Sequence, residues 1–268
     1  MTLQTKSPGD APGIYQIATR GRELKHLSFR IAELGGALNE YSFETGVEEV
    51  SLNSYTGAVR VAVDGTAGAW RADIPVRESI AQPGTMVFAP PDSTVTLTAL
   101  DASARLTIAG ALGAGGTSGP ALLSAEKKSV GKDNWTRTVY TYIADNVAAA
   151  RLICGETVNQ PGGWSSCPPH KHDQNRPPQE VPMEEVYYFQ FEPKQGFGFM
   201  RVYSDAADAE PFDYAYAVEH GDTVLIPRGY HPVVACPGYT LHYTWVLAGV
   251  GRTYGAWTDD PQHAWIKR

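Results

Sequence analysis

Short runs of alternating hydrophobic and polar residues recur along this chain and end at turn residues. Val59–Val63 and Thr94–Thr98 alternate apolar or β-branched side chains with polar ones, and residues 186–191, 223–226 and 241–247 behave alike. A period of two is typical of strands with one buried face, and closely spaced short strands favour an antiparallel sandwich or barrel. The pattern predicts an all-β protein with few short helices.

A Gly-rich segment, residues 109–120, interrupts this pattern near the middle of the chain. Such a segment has little to pack and loses much backbone entropy when it becomes ordered, which is typical of a linker. The predicted organisation is a domain of residues 1–112, a linker of residues 113–120 and a domain of residues 121–268. Residues 121–128 are predicted to form a short helix, and residues 146–152 either a helix or a strand.

The two halves share short motifs at a nearly constant spacing. Gly84–Pro90 recurs as Gly221–Pro227, and Glu48–Val50 recurs as Glu184–Val186. Repetition of two motifs in the same order indicates a tandem duplication of one β unit. This alignment pairs His170 with Leu34, His172 with Gly36 and His231 with Thr94. Only the second half therefore carries these histidines.

The three histidines of the second half form a candidate metal site together with one glutamate. His170 and His172 are separated by one residue, so on a strand both imidazoles would face the same side, about 6–7 Å apart. Glu185 begins an aromatic strand, and His231 follows a turn after a short strand. Histidine nitrogens with one carboxylate suit one divalent ion, Zn, Mn, Fe or Ni, with open positions for a ligand.

The choice of carboxylate has competitors. A long segment, residues 173–184, separates His172 from Glu185, and it contains Glu180 and Glu184. We prefer Glu185 because it begins the aromatic strand, and Glu184 and Glu180 remain alternatives.

Composition excludes several classes of function. The net charge of −7 without a Lys/Arg cluster argues against nucleic-acid binding. No stretch approaches the roughly 18 apolar residues that span a membrane, and the polar amino terminus lacks the apolar core of a signal peptide. The cysteines Cys154, Cys167 and Cys236 lack metal-pair spacing and are expected to be reduced thiols. We expect a cytoplasmic protein without membrane or nucleic-acid partners.

Several second-half motifs resemble one known family. They are Pro-Pro-His-Lys-His-Asp (168–173), the Pro-rich insert (177–182), Glu-Glu-Val-Tyr-Tyr-Phe (184–189), Gly-Phe-Gly-x-x-Arg-Val-Tyr (196–203), Pro-Arg-Gly-Tyr-His-Pro-Val-Val (227–234) and the ending at 260–266. They are similar to the 5-deoxy-glucuronate isomerases of myo-inositol catabolism, in the cupin superfamily. The resemblance implies two cupin barrels in tandem, each a jelly-roll-like double-stranded β-helix, the first without metal ligands.

The resemblance also implies a reaction. Its family converts an aldehydic sugar acid, 5-deoxy-D-glucuronate, to the keto acid 5-dehydro-2-deoxy-D-gluconate. A divalent ion would stabilise the enediolate that develops between the two carbons. Glu184 and Asp173 are the candidates for proton transfer, whereas a metal-assisted hydride shift would need no base.

Substrate recognition is expected from arginines and tyrosines. Arginine offers a fork of donors that fits a carboxylate, and tyrosine hydroxyls bind sugar hydroxyls. The candidates are Arg201, Arg228, Arg176, Tyr187, Tyr203 and Tyr230.

Other functions remain open at this point. The alternatives are a 5-keto-4-deoxyuronate isomerase of pectin breakdown, a cupin dioxygenase and a non-catalytic sugar-binding cupin. A homo-oligomer is possible for a protein of this organisation.

Overall fold

The computed structural model describes residues 3–66, 68–114 and 117–268. Strands dominate this part of the chain, and the all-β prediction is confirmed. In chain order the strands are β1 (Gln4–Thr5), β2 (Gly13–Ala18), β3 (Leu27–Gly35), β4 (Glu40–Glu44), β5 (Glu48–Thr56), β6 (Val59–Gly65), β7 (Gly68–Ile74), β8 (Met86–Ala89), β9 (Ser93–Ala99), β10 (Ser103–Leu112), β11 (Ala121–Leu123), β12 (Glu126–Val130), β13 (Arg137–Ile143), β14 (Ile153–Asn159), β15 (Trp164–Ser165), β16 (His170–Lys171), β17 (Met183–Glu192), β18 (Phe197–Tyr203), β19 (Asp213–Glu219), β20 (Thr223–Ile226), β21 (Val233–Ala235), β22 (Thr240–Gly249) and β23 (Thr258–Asp259).

Helical structure is limited, in the described residues, to short 3-10 turns at Asp133–Trp135 and Ala264–Lys267. Neither approaches the length or the apolar character of a membrane-crossing helix. The short helix predicted for residues 121–128 is wrong, because β11 pairs with β8 and β12 pairs with β13. Strand pairing there overrides a local sequence with good helix propensity. Residues 146–152 are irregular rather than helix or strand.

The chain forms two compact units, which we describe separately. The N-terminal unit comprises Pro8–Ala125 and Tyr142–Cys154, and the C-terminal unit comprises the residues up to Ser7, Glu126–Thr141 and Gly155–Arg268. These bounds differ from those predicted from the Gly-rich segment. One segment of the first half belongs to the C-terminal unit, and one segment of the second half belongs to the N-terminal unit. Strand pairing holds the first segment in place, and side-chain hydrogen bonds hold the second.

The first of these segments is β1, whose residues pair with β20 in the C-terminal unit. The second contains residues 150–152, whose three backbone N–H groups donate to the carboxylate of Glu49 at 2.6–2.8 Å. A buried carboxylate that accepts several amide hydrogen bonds fixes the chain around it. This interaction places the irregular segment within the N-terminal unit.

The N-terminal unit packs two open antiparallel sheets around an aliphatic core. The strand orders are β11-β8-β5-β10-β3-β2 and β4-β9-β6-β7. Val50, Leu52 and Val87 from the larger sheet meet Val61 and Leu97 from the smaller one, and all five side chains are buried. Burial of this apolar surface is the main term that stabilises the unit.

The C-terminal unit contains a larger set of sheets, in the orders β1-β20-β17-β22-β14-β13-β12, β15-β21-β18-β19 and β16-β23. In both units every sheet traced by the described residues has free edges. The predicted barrels are therefore open double sheets rather than closed barrels, since facing sheets can share a core without hydrogen-bonded closure.

Strand register corrects the alignment of the two halves. In the N-terminal unit Val50 pairs with Ala89, and in the C-terminal unit Glu185 pairs with Ile226. Ala89 and Ile226 occupy the same place in the repeated motif, so Val50 is the counterpart of Glu185. The match of Glu49 with Glu185 is wrong, because a slip of one residue moves a side chain to the other face of a sheet.

The alignment of the first two histidines is also wrong. His170 and His172 lie between β15 and β17, in residues 166–182, whereas the N-terminal unit joins β4 to β5 through residues 45–47. Both β15 and β4 pair with the strand that follows the repeated Pro motif, which identifies them as counterparts. The histidine-bearing segment is thus an insertion specific to the C-terminal unit.

Candidate metal centre

Three predicted ligands come together in the C-terminal unit. The possible ligand atoms of His172, Glu185 and His231 all lie within 4.8 Å of one another, and all three side chains are buried. His172 follows β16, Glu185 lies on β17, and His231 lies in the turn between β20 and β21. Strand pairing of β17 with β20 brings the carboxylate and the last histidine together.

Hydrogen bonds orient both imidazoles in this cluster. His172 Nδ1 lies 2.8 Å from the Met183 carbonyl oxygen, and His231 Nδ1 lies 2.9 Å from the Gly229 carbonyl oxygen. A carbonyl can only accept, so Nδ1 carries the proton in each ring. The lone pair of each Nε2 then points inward, as it does in histidines that bind metals.

The inward atoms fit a cation. The Nε2 atoms of His172 and His231 each lie 3.2 Å from Glu185 Oε2, and His231 Nε2 is buried without a hydrogen-bond partner of acceptable geometry. Two neutral imidazole lone pairs facing one carboxylate oxygen repel it, whereas a divalent ion would satisfy all three atoms. The donor set therefore has the chemistry of a metal site.

His170 lies beside this cluster. Its ring centroid is 4.8 Å from that of His231 and 6.3 Å from that of His172, and its ring also lies 5.0 Å from Trp257. Burial, together with the charges of His231 and His172, holds the pKa of His170 well below its ordinary value. A neutral imidazole is the form that binds metals.

Electrostatics within the cluster favour a charged carboxylate. Without a metal ion, burial opposes ionisation of Glu185, but the nearby His172 and His231, where their Nε2 atoms carry a proton, outweigh it and lower the pKa of this carboxyl. Burial likewise lowers the pKa of His172, but the hydrogen bond to Glu185 outweighs it and raises that pKa overall. An anionic group among imidazoles is what a bound cation requires.

The competing carboxylates have other positions. Glu184 neighbours Glu185 on β17 and so faces the opposite side of the sheet. The buried Glu180 accepts the backbone N–H groups of Asp173 and Gln174, each at 2.9 Å, and pairs with Arg176. Glu180 therefore organises the long segment, and only Glu185 joins the histidines.

Asp173, the other proton-transfer candidate, holds two ligand segments together. Its Oδ2 accepts the Gly229 backbone N–H at 2.9 Å, and its Oδ1 lies 3.1 Å from Lys171 Nζ. These contacts connect the segment of His172 to the turn that carries His231. The geometry gives Asp173 a positioning role next to the cluster.

A narrow cavity of about 80 Å³ opens onto the cluster. Its volume is below the roughly 300–1,000 Å³ of cavities that hold drug-sized ligands. Its polar lining, besides the cluster, comes from Arg137, Thr157, Ser166, Tyr187, Tyr243 and Tyr254. Glu184 and Asp173 are not part of this lining.

Tyr187 is the predicted substrate residue that the structure places in the cavity. Its hydroxyl lies 3.0 Å from the Ser166 hydroxyl, and burial raises the pKa of Tyr187 well above its ordinary value. The hydroxyl thus stays protonated and can donate a hydrogen bond. Tyr243, whose hydroxyl donates to Ser165 at 3.0 Å, lies beside it.

The other predicted substrate residues lie outside this cavity, and each has a carboxylate partner. The pairs are Arg201 with Asp213 at 2.7 Å, Arg228 with Asp208, Arg176 with Glu180, Tyr203 with Asp260 at 2.6 Å and Tyr230 with Asp205 at 3.0 Å. Arg201, Tyr203 and Tyr230 line a separate polar cleft. The structure does not bring these residues to the metal cluster.

Arg137, Thr157 and Tyr254 are cavity residues that the sequence reasoning missed. Arg137 begins an alternating run, residues 137–143, which is a readable strand signal. The missing information was the strand order: β14 lies next to β22 and β13 lies next to β14, which brings Thr157 and Arg137 to the cavity.

Comparison with known proteins gives a consistent result. The sequence model of the KduI/IolB family matches residues 3–266. A 5-deoxy-glucuronate isomerase of Bacillus subtilis subsp. natto is 32% identical over 260 residues, covering 94% of this chain and 92% of its own. One from Bacillus velezensis is 33% identical over 269 residues, with the same coverage.

Solved structures agree with this result. The fold is similar to an IolB-like protein from Salmonella typhimurium LT2, with a TM-score of 0.89 and 28% identity over 100% of both chains. Oxalate decarboxylase of Lactobacillus farciminis gives a TM-score of 0.65 at 15% identity, covering 94% of this chain and 88% of its own. At that identity the likeness concerns the fold alone.

Proposed function

Because this chain belongs to the KduI/IolB family, as the sequence motifs predicted, we propose that it isomerises 5-deoxy-glucuronate to 5-dehydro-2-deoxy-gluconate. The observation that supports this most directly is the cluster of His172, Glu185 and His231 at the end of a small cavity. Relatives that match nearly the whole chain carry the name of this isomerase, and their class agrees with the predicted isomerase class.

One divalent ion is the proposed cofactor, with His170, His172, Glu185 and His231 as its ligands. The ion would act as a Lewis acid that polarises the substrate carbonyl and its neighbouring hydroxyl. Carbonyl acceptors fix the two imidazoles of His172 and His231 before any ion binds. Such preorganisation supports tight binding, since the ligands need not reorient.

The remaining cavity residues bind and orient the sugar acid. The protonated hydroxyl of Tyr187 is a donor for a substrate oxygen, and the Ser166 hydroxyl holds it in place. Trp257 and Trp245 give the cavity apolar walls that exclude water. The reacting carbons of the sugar acid would therefore be shielded from solvent.

Proton transfer has few candidates in this cavity. Among the described residues that line it, Glu185 is the only carboxylate. Either Glu185 moves the proton between the two carbons, or a hydride passes directly between them; in both routes the proton of the hydroxyl is transferred to the carbonyl oxygen. Glu184 and Asp173 would need a substrate that reaches outside the cavity.

The decisive experiment is an NMR time course of metal-analysed protein with 5-deoxy-glucuronate in deuterated water. We expect the aldehyde signal to disappear while the 5-keto acid forms. Deuterium at the reacting carbon would indicate proton transfer through a base that exchanges with solvent. A metal-loaded protein that leaves the substrate unchanged would contradict the proposal.

His231→Ala and His263→Ala form a matched pair for this experiment. His231 is fully buried in the cluster, whereas His263 is partly exposed and outside the cavity. We expect loss of metal and turnover in the first variant and neither loss in the second. Equal behaviour of the two would remove the link between the cluster and the activity.

The second substrate to test is 5-keto-4-deoxyuronate, the substrate of the related isomerase of pectin breakdown. The family description joins two names, so the family alone does not separate the two sugar acids. The identity of the metal, the cytoplasmic location and a homo-oligomer remain predictions.

A further inference from the structure

Arg137 is a cation inside the cavity that the proposed chemistry has not yet used. It is the first residue of β13, is half-buried, and lines the cavity together with Val139 two residues later. Residues two apart on a strand share a face, so the strand itself directs the guanidinium group to the side of the histidines.

Few of the donors of Arg137 have partners. Its Nη1 donates to the Trp135 carbonyl oxygen at 3.2 Å, and its guanidinium carbon lies 5.8 Å from the centroid of the Trp135 ring. A guanidinium has five N–H donors in a planar fork. No carboxylate of the described residues lies within ion-pair distance of this group.

The three arginines predicted from the sequence differ in this respect. Arg176, Arg201 and Arg228 each pair with a carboxylate of the chain itself. Their charges are therefore already compensated, and a substrate carboxylate would have to displace those partners. Arg137 requires no such displacement.

The one anion in the cavity does not compensate Arg137. The carboxylate of Glu185 instead faces His172 and His231, whose Nε2 atoms each lie 3.2 Å from its Oε2. A partly desolvated cation without a counter-charge is unfavourable, and an anionic ligand relieves that cost. Two parallel N–H···O bonds from a guanidinium are the geometry that best fits a carboxylate.

We propose that Arg137 binds the substrate carboxylate and directs the carbonyl end of the sugar acid toward His172, Glu185 and His231. This inference rests on the proposed function, since it assigns the carboxylate of a uronate to Arg137 and its carbonyl end to the metal cluster, both of which line one cavity. It also assigns substrate selectivity: the site takes a short sugar acid and discriminates against the neutral sugar of the same shape.

The test is calorimetric binding of D-glucuronate and D-glucose to metal-loaded protein. We expect wild type to prefer glucuronate. Arg137→Gln should weaken glucuronate binding by about 10- to 100-fold, the worth of hydrogen bonds to a charged group, and leave glucose binding unchanged. Arg137→Lys keeps the charge without the fork and should show a smaller loss.

Two further variants complete the design. Arg201→Gln removes the rival arginine, and Arg60→Gln removes an exposed arginine that pairs with Asp73 in the N-terminal unit; both should bind glucuronate as wild type does. Metal content and melting temperature are measured for every variant. If Arg137→Gln does not fold, the binding of glucuronate and glucose by Arg137→Lys is compared with that of wild type instead.

Several results would overturn the inference. These are an Arg137→Gln variant that binds glucuronate like wild type, an equal loss of glucuronate and glucose, or a selective loss in Arg201→Gln instead. Failure of the proposed function would look different: no turnover of 5-deoxy-glucuronate by wild type, with the Arg137-dependent preference for the anion still present.

Discussion

At equivalent strand positions the two units carry side chains of opposite character: aliphatic in the N-terminal unit and polar in the C-terminal unit. In the N-terminal unit Val50 and Leu52 of β5 belong to an aliphatic core. At the corresponding places of β17 the C-terminal unit has Glu185 and Tyr187, which line a cavity. The backbone pairing is the same, so the difference lies in the side chains and in the insertion between β15 and β17.

This difference shows that a polar site reduces the apolar surface that a unit can bury. An aliphatic core contributes roughly 25 cal/mol for each Å² of apolar surface buried, and a polar cavity gives up part of that term. The C-terminal unit has hydrogen-bonded carboxylates around its site instead. Asp173 holds the turn at Gly229, and Glu180 holds the backbone of the long segment.

The largest effect on stability is expected when Val50 of the N-terminal unit is replaced by glutamate, the residue at the equivalent position of the C-terminal unit. Val50→Glu buries a charge among aliphatic side chains without partners, and should lower the free energy of unfolding by about 3–5 kcal/mol. Urea denaturation followed by circular dichroism measures it. Val47→Glu is the control, because Val47 is 59% exposed; equal stability of the two variants would contradict the comparison.

The reverse exchange should abolish the metal site. Glu185→Val removes the one carboxylate of the cluster, and metal affinity should fall at least ~100-fold, since loss of even an outer partner costs 10- to 100-fold. Competition with a chelator measures this affinity. Glu184→Val, on the opposite face of β17, should keep its metal; a loss there and not at Glu185 would reassign the ligand.

A smaller effect is expected at Glu49, which resembles Glu185 in sequence but not in register. Glu49→Gln weakens three hydrogen bonds from the backbone of residues 150–152 and should cost about 1–3 kcal/mol of stability. Metal content should not change. Glu44→Gln, which is exposed, serves as the control, and metal loss in Glu49→Gln would restore the original alignment.

The smallest effect is expected from pH, in the metal-free protein. The pKa of Glu185 is lowered from 4.5, so its contribution to stability is present above 4.5 and is lost as pH falls through the lowered value. The pKa of His172 is raised from 6.5, so its contribution is present below 6.5 and is lost as pH rises through the raised value. Melting temperatures should peak between these limits. Glu185→Gln should flatten the curve; an unchanged curve would exclude this pair as its source.

Much of the fold could be predicted from local sequence. Alternation in Val59–Val63 and Thr94–Thr98 identified real strands, and the motif ending at Pro90 and Pro227 marked equivalent strands in both units. The histidine motif and Glu185 identified the cluster, because ligand chemistry restricts the residue types strongly.

Other features depend on tertiary structure and could not be predicted. Glu49 and Glu185 align in the sequence motif, but strand register places them on opposite faces of equivalent strands. Arg201 and Arg228 stand inside conspicuous motifs, yet their carboxylate partners arrive from other segments. Arg137 has no motif at all, and only the order of strands brings it to the cavity.

The pairing of β1 with β20 has a consequence for any attempt to divide the chain. The strand that precedes the N-terminal unit in the chain lies at the edge of a sheet of the unit that carries the cluster of His172, Glu185 and His231, while residues 142–154 of the second half belong to the N-terminal unit. A deletion that trims the chain to its second half would therefore strip an edge strand next to the turn that bears His231. A chain whose two units exchange segments in this way cannot be divided at its midpoint into two intact units.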